Sequence, residues 1–355
     1  MGAGPAGISV LTGRLPVMIL NKRETAVLTA VVELYVETAQ PVGSQAIATG
    51  LGLSPASLRT TMARLTEKGF LRQPHTSAGR VPSIQGFRYY LDQVLQICPL
   101  PRRDRSRLQE HILPDASELP QVLRRAAQAL SSLTNQVCVV MAPRQTLARW
   151  RQIDFILLRP GMVMAVLVLQ GGLISNRLIQ VDENLGSDEL IHYGNFLNSL
   201  FTGRTTREVR AEILLQLHNA QATLDAYRRA WELAAQAVTE DEQPEVFVGG
   251  TSHLATQPEF TDLETIQELL RLIEERSRLL ELLDKTASSA SVSVSLDQNV
   301  AGVSGCSLVT SAYSAHASTQ GALAVLGPVR MNYARILPMV DFAAQILSQC
   351  LKSRF

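Results

Sequence analysis

Between Arg23 and Thr38 apolar residues recur at helical spacing, with Val27, Val31, Leu34 and Tyr35 on one stripe, and Gln40-Pro41 stops the helix this predicts. A second, shorter helix is expected to start at Ser44, bury Ile47 and end at Gly50. Leu51-Gly52-Leu53 then turns into SPASLRTTMARLTEKG at 54–69. There Ser54 is an N-cap type, Pro55 suits the first helical position with its fixed φ, and Gly69 supplies a left-handed stop. Leu58, Met62 and Leu65 form only a narrow apolar stripe. Ala56, Thr60 and Ala63 point away from it, with Ser57, Arg59 and Arg64 at its flanks. Two short helices joined by a tight Gly-containing turn make a helix-turn-helix, whose second helix enters the DNA major groove. That gives the hydroxylic, cationic face a use. Past Gly69 the period becomes extended, in FLRQ and RVPS around the turn-rich PHTSAG, and this predicts a wing.

The pattern beyond is mixed. Residues 99–135 open on the charged, Pro-rich PLPRRDR and continue as helices with Leu108, Ile112, Leu123 and Leu130 inward, the pattern of a linker. VCVVMAP and RQIDFILLRPGMVMAVLVLQGGLISNRLIQV are apolar runs separated by short turns, expected to form an antiparallel meander. A helix from about Ser187 to Phe201 follows, and 205–286 reads as mostly helical. Its last helix, TDLETIQELLRLIEERSRLLELLDK, sets Leu263, Ile266, Leu270 and Ile273 at 3-4-3 spacing with Leu280 further along, a seam that suits a core or a subunit interface. Strands return in SVSVSL, CSLVTSAY and GALAVLGP before a terminal helix from about Tyr333 to Leu351. The two strand-rich blocks are expected to complete one sheet around the helical insert.

Charge sharpens the first domain. The 355-residue chain has a net charge of only +1, so any nucleic-acid signal must be local. Between 54 and 90 six basic residues (Arg59, Arg64, Lys68, Arg72, Arg80, Arg88) face a single acid, Glu67. Coinciding with a helix-turn-helix and a hairpin, this is a phosphate-binding footprint. His75 has no His or Cys neighbour at ligand spacing, so no metal is expected. With Thr76 and Ser77 it is expected to order the turn or donate to a phosphate, and with Arg72 and Arg80 to hold the phosphate backbone. Aromatics at 5% offer few stacking platforms for single strands.

Other function classes find little support. Cys98, Cys138, Cys306 and Cys350 lie far apart, as reduced cytoplasmic thiols would, and are expected to be buried. GAGPAG at 2–7 matches a dinucleotide fingerprint by letter but no strand precedes it, so residues 1–21 are read as a flexible leader. There is no apolar run of membrane-spanning length. No P-loop, HExxH or G-x-S-x-G spacing occurs, so no catalytic residues, enzyme activity or cofactor are expected.

Taken together, PVGS (41–44), SPASLR (54–59), GFLRQPHTSAGRVPS (69–83), GFRYYLD (86–92), PEFTD (258–262), CSLVTSAY (306–313) and LGPVRMNY (326–333) closely resemble the HrcA family of heat-inducible transcription repressors, in the same order. Where that family carries Asn and an acid after the recognition-helix Arg, Thr60 and Thr61 stand here. Threonine can hydrogen-bond or touch a thymine methyl but cannot make the bidentate adenine contact of Asn. VSLDQN at 294–299 replaces a Gly-Glu-Asn pattern.

The resemblance implies an α+β multidomain protein with a winged helix at 22–98, a linker at 99–135, a GAF-like antiparallel-sheet domain at 136–204 and 287–355, and a dimerisation insert at 205–286. Within that frame the residue pattern assigns DNA contacts to Ser44, Ser57, Arg59, Thr60 and Arg64 and to the wing, and dimerisation to Ile266, Leu270, Ile273 and Leu280. The partners implied are an inverted-repeat operator of CIRCE type, a second copy of the chain and the GroE chaperonin. The competing reading is a ligand-sensing winged-helix regulator whose GAF-like domain binds a small metabolite.

Overall fold

The computed structural model describes residues 20–75, 78–113, 119–143, 149–170, 174–182, 185–218, 225–238, 244–260, 263–286, 292–296, 299–300, 303–314 and 320–354. The chain divides into two compact units, one of 1–141, 246–313 and 322–346, the other of 142–245, 314–321 and 347–355.

The first unit begins with α1 (Lys22–Thr38), α2 (Ala48–Leu51), α3 (Pro55–Glu67), β1 (Leu71–Arg72), β2 (Val81–Pro82) and α4 (Ile84–Tyr89), which runs into a π turn at Tyr90–Val94. Helix α1 lies against α3 and α4. Val27, Leu28, Val31 and Val32 are buried, as are Leu58, Met62, Leu65, Phe70, Phe87 and Leu91. α2 begins later than expected. Val42 pairs with Arg80 through both backbone hydrogen bonds, at 2.8 and 2.9 Å, which holds it extended. The chain then needs the turn at 44–47 before it can wind into a helix.

In chain order there follow α5 (Arg102–Ile112), α6 (Leu119–Thr134), β3 (Val137–Met141), β4 (Trp150–Arg159), β5 (Met162–Leu169), β6 (Ile174–Gln180), α7 (Ser187–Phe201), α8 (Thr206–His218), α9 (Asp225–Ala237), β7 (Val246–Gly249), a 3-10 turn at Thr251–Thr256, α10 (Leu263–Glu274), α11 (Arg276–Thr286), β8 (Ser293–Ser295), β9 (Asn299–Val300), β10 (Val303–Ser304), β11 (Cys306–Ser314), β12 (Gln320–Pro328) and α12 (Tyr333–Arg354). A five-stranded sheet has the order β7-β3-β12-β11-β8. Antiparallel pairing joins β3 to β12, from Val137↔Leu326 to Met141↔Ala322, and β3 to β7 on its other edge. Alternate residues Val137, Val139, Met141, Ala322, Ala324 and Leu326 form one cluster with Leu269, Leu272, Leu279, Leu280 and Leu283 of α10 and α11. The residues between them, Cys138, Val140, Leu323 and Val325, are also buried and point to the face opposite. Helix α6 packs on β3 and β7.

The single sheet expected from the sequence is instead two. Among the described residues, strands β4, β5 and β6 pair only with one another, as a three-stranded antiparallel meander in the second unit. β7, expected in the helical insert, is an edge strand of the five-stranded sheet. The chain leaves that sheet after β3 and rejoins it at β7, closed at the stem by Ala142 N–H to the Glu245 carbonyl at 2.7 Å. The physical difference lies in the strand patterns. β3 is buried at every position and needs cover on both faces, whereas β5 alternates buried and half-buried and can sit with one covered face. Helix α6, within the expected linker, buries Val122, Leu123, Ala126, Ala127 and Leu130 as part of the core. Cys138, Cys306 and Cys350 are buried as expected, but Cys98 is exposed.

In the second unit α7 packs on β4, and α9 packs on α7 and α8. Asn198 of α7 caps the free edge of β4. Its amide donates to the Ile153 carbonyl at 3.0 Å, and its oxygen accepts from Ile153 N–H at 2.7 Å and Trp150 Nε1 at 3.0 Å. An amide side chain thus satisfies an edge that would otherwise offer itself to another strand. Among the described residues no helix is long and apolar enough to cross a membrane.

Candidate nucleic-acid interface

Helix α3 forms as its sequence dictates. The Ser54 hydroxyl accepts from Ser57 N–H at 3.3 Å, Pro55 opens the helix, Lys68 is the C-cap and Gly69 follows at φ 81°. Leu58, Thr61, Met62 and Leu65 are buried. Arg59, Thr60 and Arg64 are exposed on the other side, together with Ala56. Thr61 lies inward with its hydroxyl on the Ser57 carbonyl at 3.1 Å, so it takes no part in the outer face. The Thr60 hydroxyl donates to the Ala56 carbonyl at 3.3 Å and leaves its methyl free for an apolar contact.

The wing is set beside this helix by close backbone packing. A Cβ on Gly79 would lie 2.4 Å from the Val42 carbonyl oxygen, so only glycine lets the returning strand pair with the start of the helix-turn-helix. Arg72 and His75 are exposed. Gln73 Nε2 donates to the Ala78 carbonyl at 3.2 Å and closes the turn. Thr76 and Ser77 lie outside the described residues. Arg80 is half-buried, with Nε on the Thr66 hydroxyl at 3.1 Å, which ties the wing to α3. Ser44 is about nine-tenths buried, in the turn before α2, and presents little surface to a phosphate.

Two residues that the sequence reading did not assign hold the recognition helix at both ends. Arg23 of α1 donates to the Ser57 carbonyl at 3.1 Å and also to the Ser57 hydroxyl. Its neighbour Glu24 pairs with Lys68 at the C-cap, at 2.7 Å. Glu24 also closes a capping box with Asn21, accepting from Asn21 N–H at 3.1 Å while Asn21 Oδ1 accepts from Glu24 N–H at 2.9 Å. The Lys68 hydrogen bond, with Asn21 behind it, holds the Glu24 carboxyl below its usual range. One turn of α1 therefore grips the length of α3. Lys68, counted above in the basic footprint, is committed to this internal pair. The Asn-x-x-Glu spacing was visible in the sequence; the partners 34 and 44 residues away were not.

The residues assigned to dimerisation fall differently. α10 and α11 are separate helices that break at Glu275, so the seam does not run on to Leu280. Leu280 is buried in the cluster beneath the five-stranded sheet, Ile266 and Ile273 pack partly against it, and Leu270 is exposed. Among the described residues no group of three or more His, Cys, Asp or Glu could hold a metal. Burial pushes the Cys138 and Cys306 thiols up to about 12.

A capped helix with an outward cationic and hydroxylic face, its register locked by α1 and a wing pinned alongside, defines a winged helix-turn-helix of the kind that docks on duplex DNA. Residues 120–337 match the family model for the HrcA protein C-terminal domain. The chain belongs to the HrcA family. It is 43% identical over 345 residues to a heat-inducible transcription repressor HrcA of Nitratidesulfovibrio vulgaris (strain Miyazaki F), covering 95% of this chain and 97% of that one. To the protein of that name from Geobacter sulfurreducens it is 35% identical, covering 94% and 98%. A crystal structure described as that of a hypothetical protein superposes with a TM-score of 0.62 at 20% identity, over 95% of this chain and 100% of that one, and so shares the fold.

Proposed function

We propose that this chain is a heat-inducible transcription repressor that binds, as a homodimer in the cytoplasm, an inverted-repeat operator of CIRCE type before chaperonin genes, and that the GroE chaperonin maintains its active form. The observation that carries the DNA reading is the exposed Arg59–Thr60–Arg64 face of α3 beside a wing bearing Arg72, His75 and Arg80. Arg59 and Thr60 sit in the helix's N-terminal half, which approaches base edges in a helix-turn-helix, while the wing cations suit phosphates. Arg59→Ala should cost roughly 1–3 kcal/mol on the operator and much less on random duplex. Arg72→Ala should weaken both alike and lower the slope of log affinity against log salt by about one unit. Equal losses on operator and random duplex for both variants would remove the base-reading assignment.

An inverted repeat needs two recognition helices related by a two-fold. The support for a second copy is the distribution of exposed large apolar side chains. Apart from Leu263 and Leu270, those on the described surface belong to the second unit: Ile156 and Leu158, Ile174 and Leu178, Ile191 and Leu200, Leu214 and Leu215, and Tyr227. The concentration of such residues on one unit supports placing the contact there. Within the 205–286 insert expected from the sequence, the dimer contact then falls on α8 rather than on α10. Leu214→Asp with Leu215→Asp should give a folded monomer in sedimentation velocity, whereas Leu270→Asp should stay dimeric. The reverse pattern would return the contact to α10.

A further inference from the structure

Two stretches that carried the family resemblance, PEFTD and LGPVRMNY, meet at Arg330. Its Nε pairs with the Glu259 carboxylate, and its Nη2 reaches Gln257 Oε1 at 3.3 Å. Its remaining branch crosses to the DNA-binding segment, where Nη1 donates to the Val36 carbonyl in the last turn of α1 at 3.3 Å. That carbonyl is among those a helix end leaves without an internal partner, and α1 has no basic residue in its own last turn. Arg330 therefore supplies from the core the cation that this helix terminus lacks.

The base on which Arg330 stands is stiff. It follows β12 in a short turn held by Val329 N–H on the Gly305 carbonyl at 3.2 Å and Met331 N–H on the Pro328 carbonyl at 3.1 Å. The buried Tyr333 hydroxyl beside it bonds Ser307 Oγ at 2.9 Å and the Val329 carbonyl at 2.8 Å. Gln257 is anchored in turn, with Nε2 on the Asn135 carbonyl at 3.2 Å. The DNA-binding segment meets the same core at a second point, where Arg88 Nη2 reaches the Leu296 carbonyl at 3.4 Å. One attachment makes a pivot, whereas two fix an angle.

We infer that Arg330 is a positioning residue for operator recognition: bound to Glu259 and Gln257, it fixes the angle at which the winged helix leaves the core and so the spacing of two recognition helices in the dimer. It touches no DNA. Its loss leaves each winged helix able to bind a half-site, but the pair no longer preset to the inverted repeat. This rests on the dimeric-repressor reading above.

The test uses the full-length protein, an inverted repeat recovered by binding selection from random duplex, and its isolated half-site. Removing Arg330 alone strands the partly buried Glu259 carboxylate, so two gentler variants are used. Arg330→Lys keeps the charge beside Glu259 without the fork that spans three acceptors, and Arg330→Met with Glu259→Gln leaves no unpaired charge. Both should lose at least about tenfold in affinity for the inverted repeat, with half-site affinity within about twofold of the parent and the sedimentation coefficient of the dimer unchanged. Parallel loss on half-site and repeat would reduce Arg330 to a residue of fold stability, and an unchanged ratio with intact binding would remove the inference. A parent protein that bound the half-site as tightly as the repeat would instead overturn the dimer reading, and with it the role given to Arg330.

Discussion

Gly86→Ala is expected to abolish operator binding by unfolding the winged helix, at a cost of about 3 kcal/mol, the upper end of what overpacking a close-fitted site costs. Gly86 lies in the first turn of α4, and a Cβ there would stand 2.2 Å from the Phe70 carbonyl oxygen. That oxygen cannot retreat freely, because it accepts from Ser83 N–H at 3.0 Å, and the Ser83 hydroxyl both caps Gly86 N–H at 3.0 Å and donates to the Gly69 carbonyl at 2.6 Å. Alanine in a helix is otherwise favoured over glycine by about 1 kcal/mol, so clash and propensity oppose each other and the clash should win. Gly50→Ala is the control. It has nothing within 4 Å of its Cβ and should be neutral or slightly stabilising. Hydrogen exchange of segment 20–98 reads the local effect directly, since both tryptophans, Trp150 and Trp231, lie in the second unit. Protection and operator binding within about 0.5 kcal/mol of the parent for Gly86→Ala would show that the two segments are not in this contact.

Heating the purified protein to stress temperature is expected to destroy operator binding, with less than about a tenth recovered on cooling alone and most of it recovered when GroE and ATP are present. The sheet gives the reason: Val137 pairs with Leu326, and between them lie residues 142–245 and 314–321 of the second unit. Non-local pairing of this kind is slow, and until it is complete the apolar strands β3 and β12 stand with open edges. Both are buried along nearly their whole length, so each unpaired copy exposes a continuous apolar ribbon. Aggregation through such ribbons competes with refolding, and a chaperonin that sequesters them tips the competition. Light scattering and operator binding before heating, after cooling and after chaperonin treatment measure this. A protein that stayed clear in solution and regained full binding unaided would exclude heat inactivation by misfolding, and a ligand-sensing regulator would then be the better account.

The recognition helix was legible because every signal for it is local. Its cap, first proline, apolar stripe and glycine stop lie within sixteen consecutive residues, and α3 occupies the span they mark. α7 and the starts of α1 and α12 were readable for the same reason. The start of α2 was not, since it depends on Val42 pairing with a wing strand that comes much later in the chain. Arg23, Glu24 and Arg330 carry no local mark of their roles: each is an ordinary charged residue until the fold brings Ser57, Lys68 or Val36 to it.

By itself the sequence determined the winged helix, its outward cationic face and the alternation of helical and extended segments, because periodicity and capping act over one or two turns of chain. Tertiary structure alone decided which strands share a sheet, where the chain leaves that sheet, and that α10 and α11 fold as a broken pair beneath it. Apolar runs such as VCVVM and MVMAVLVL are equally good strands. Their assignment to different sheets depends on whether one face or both find cover, which is a property of packing between distant segments and not of either run.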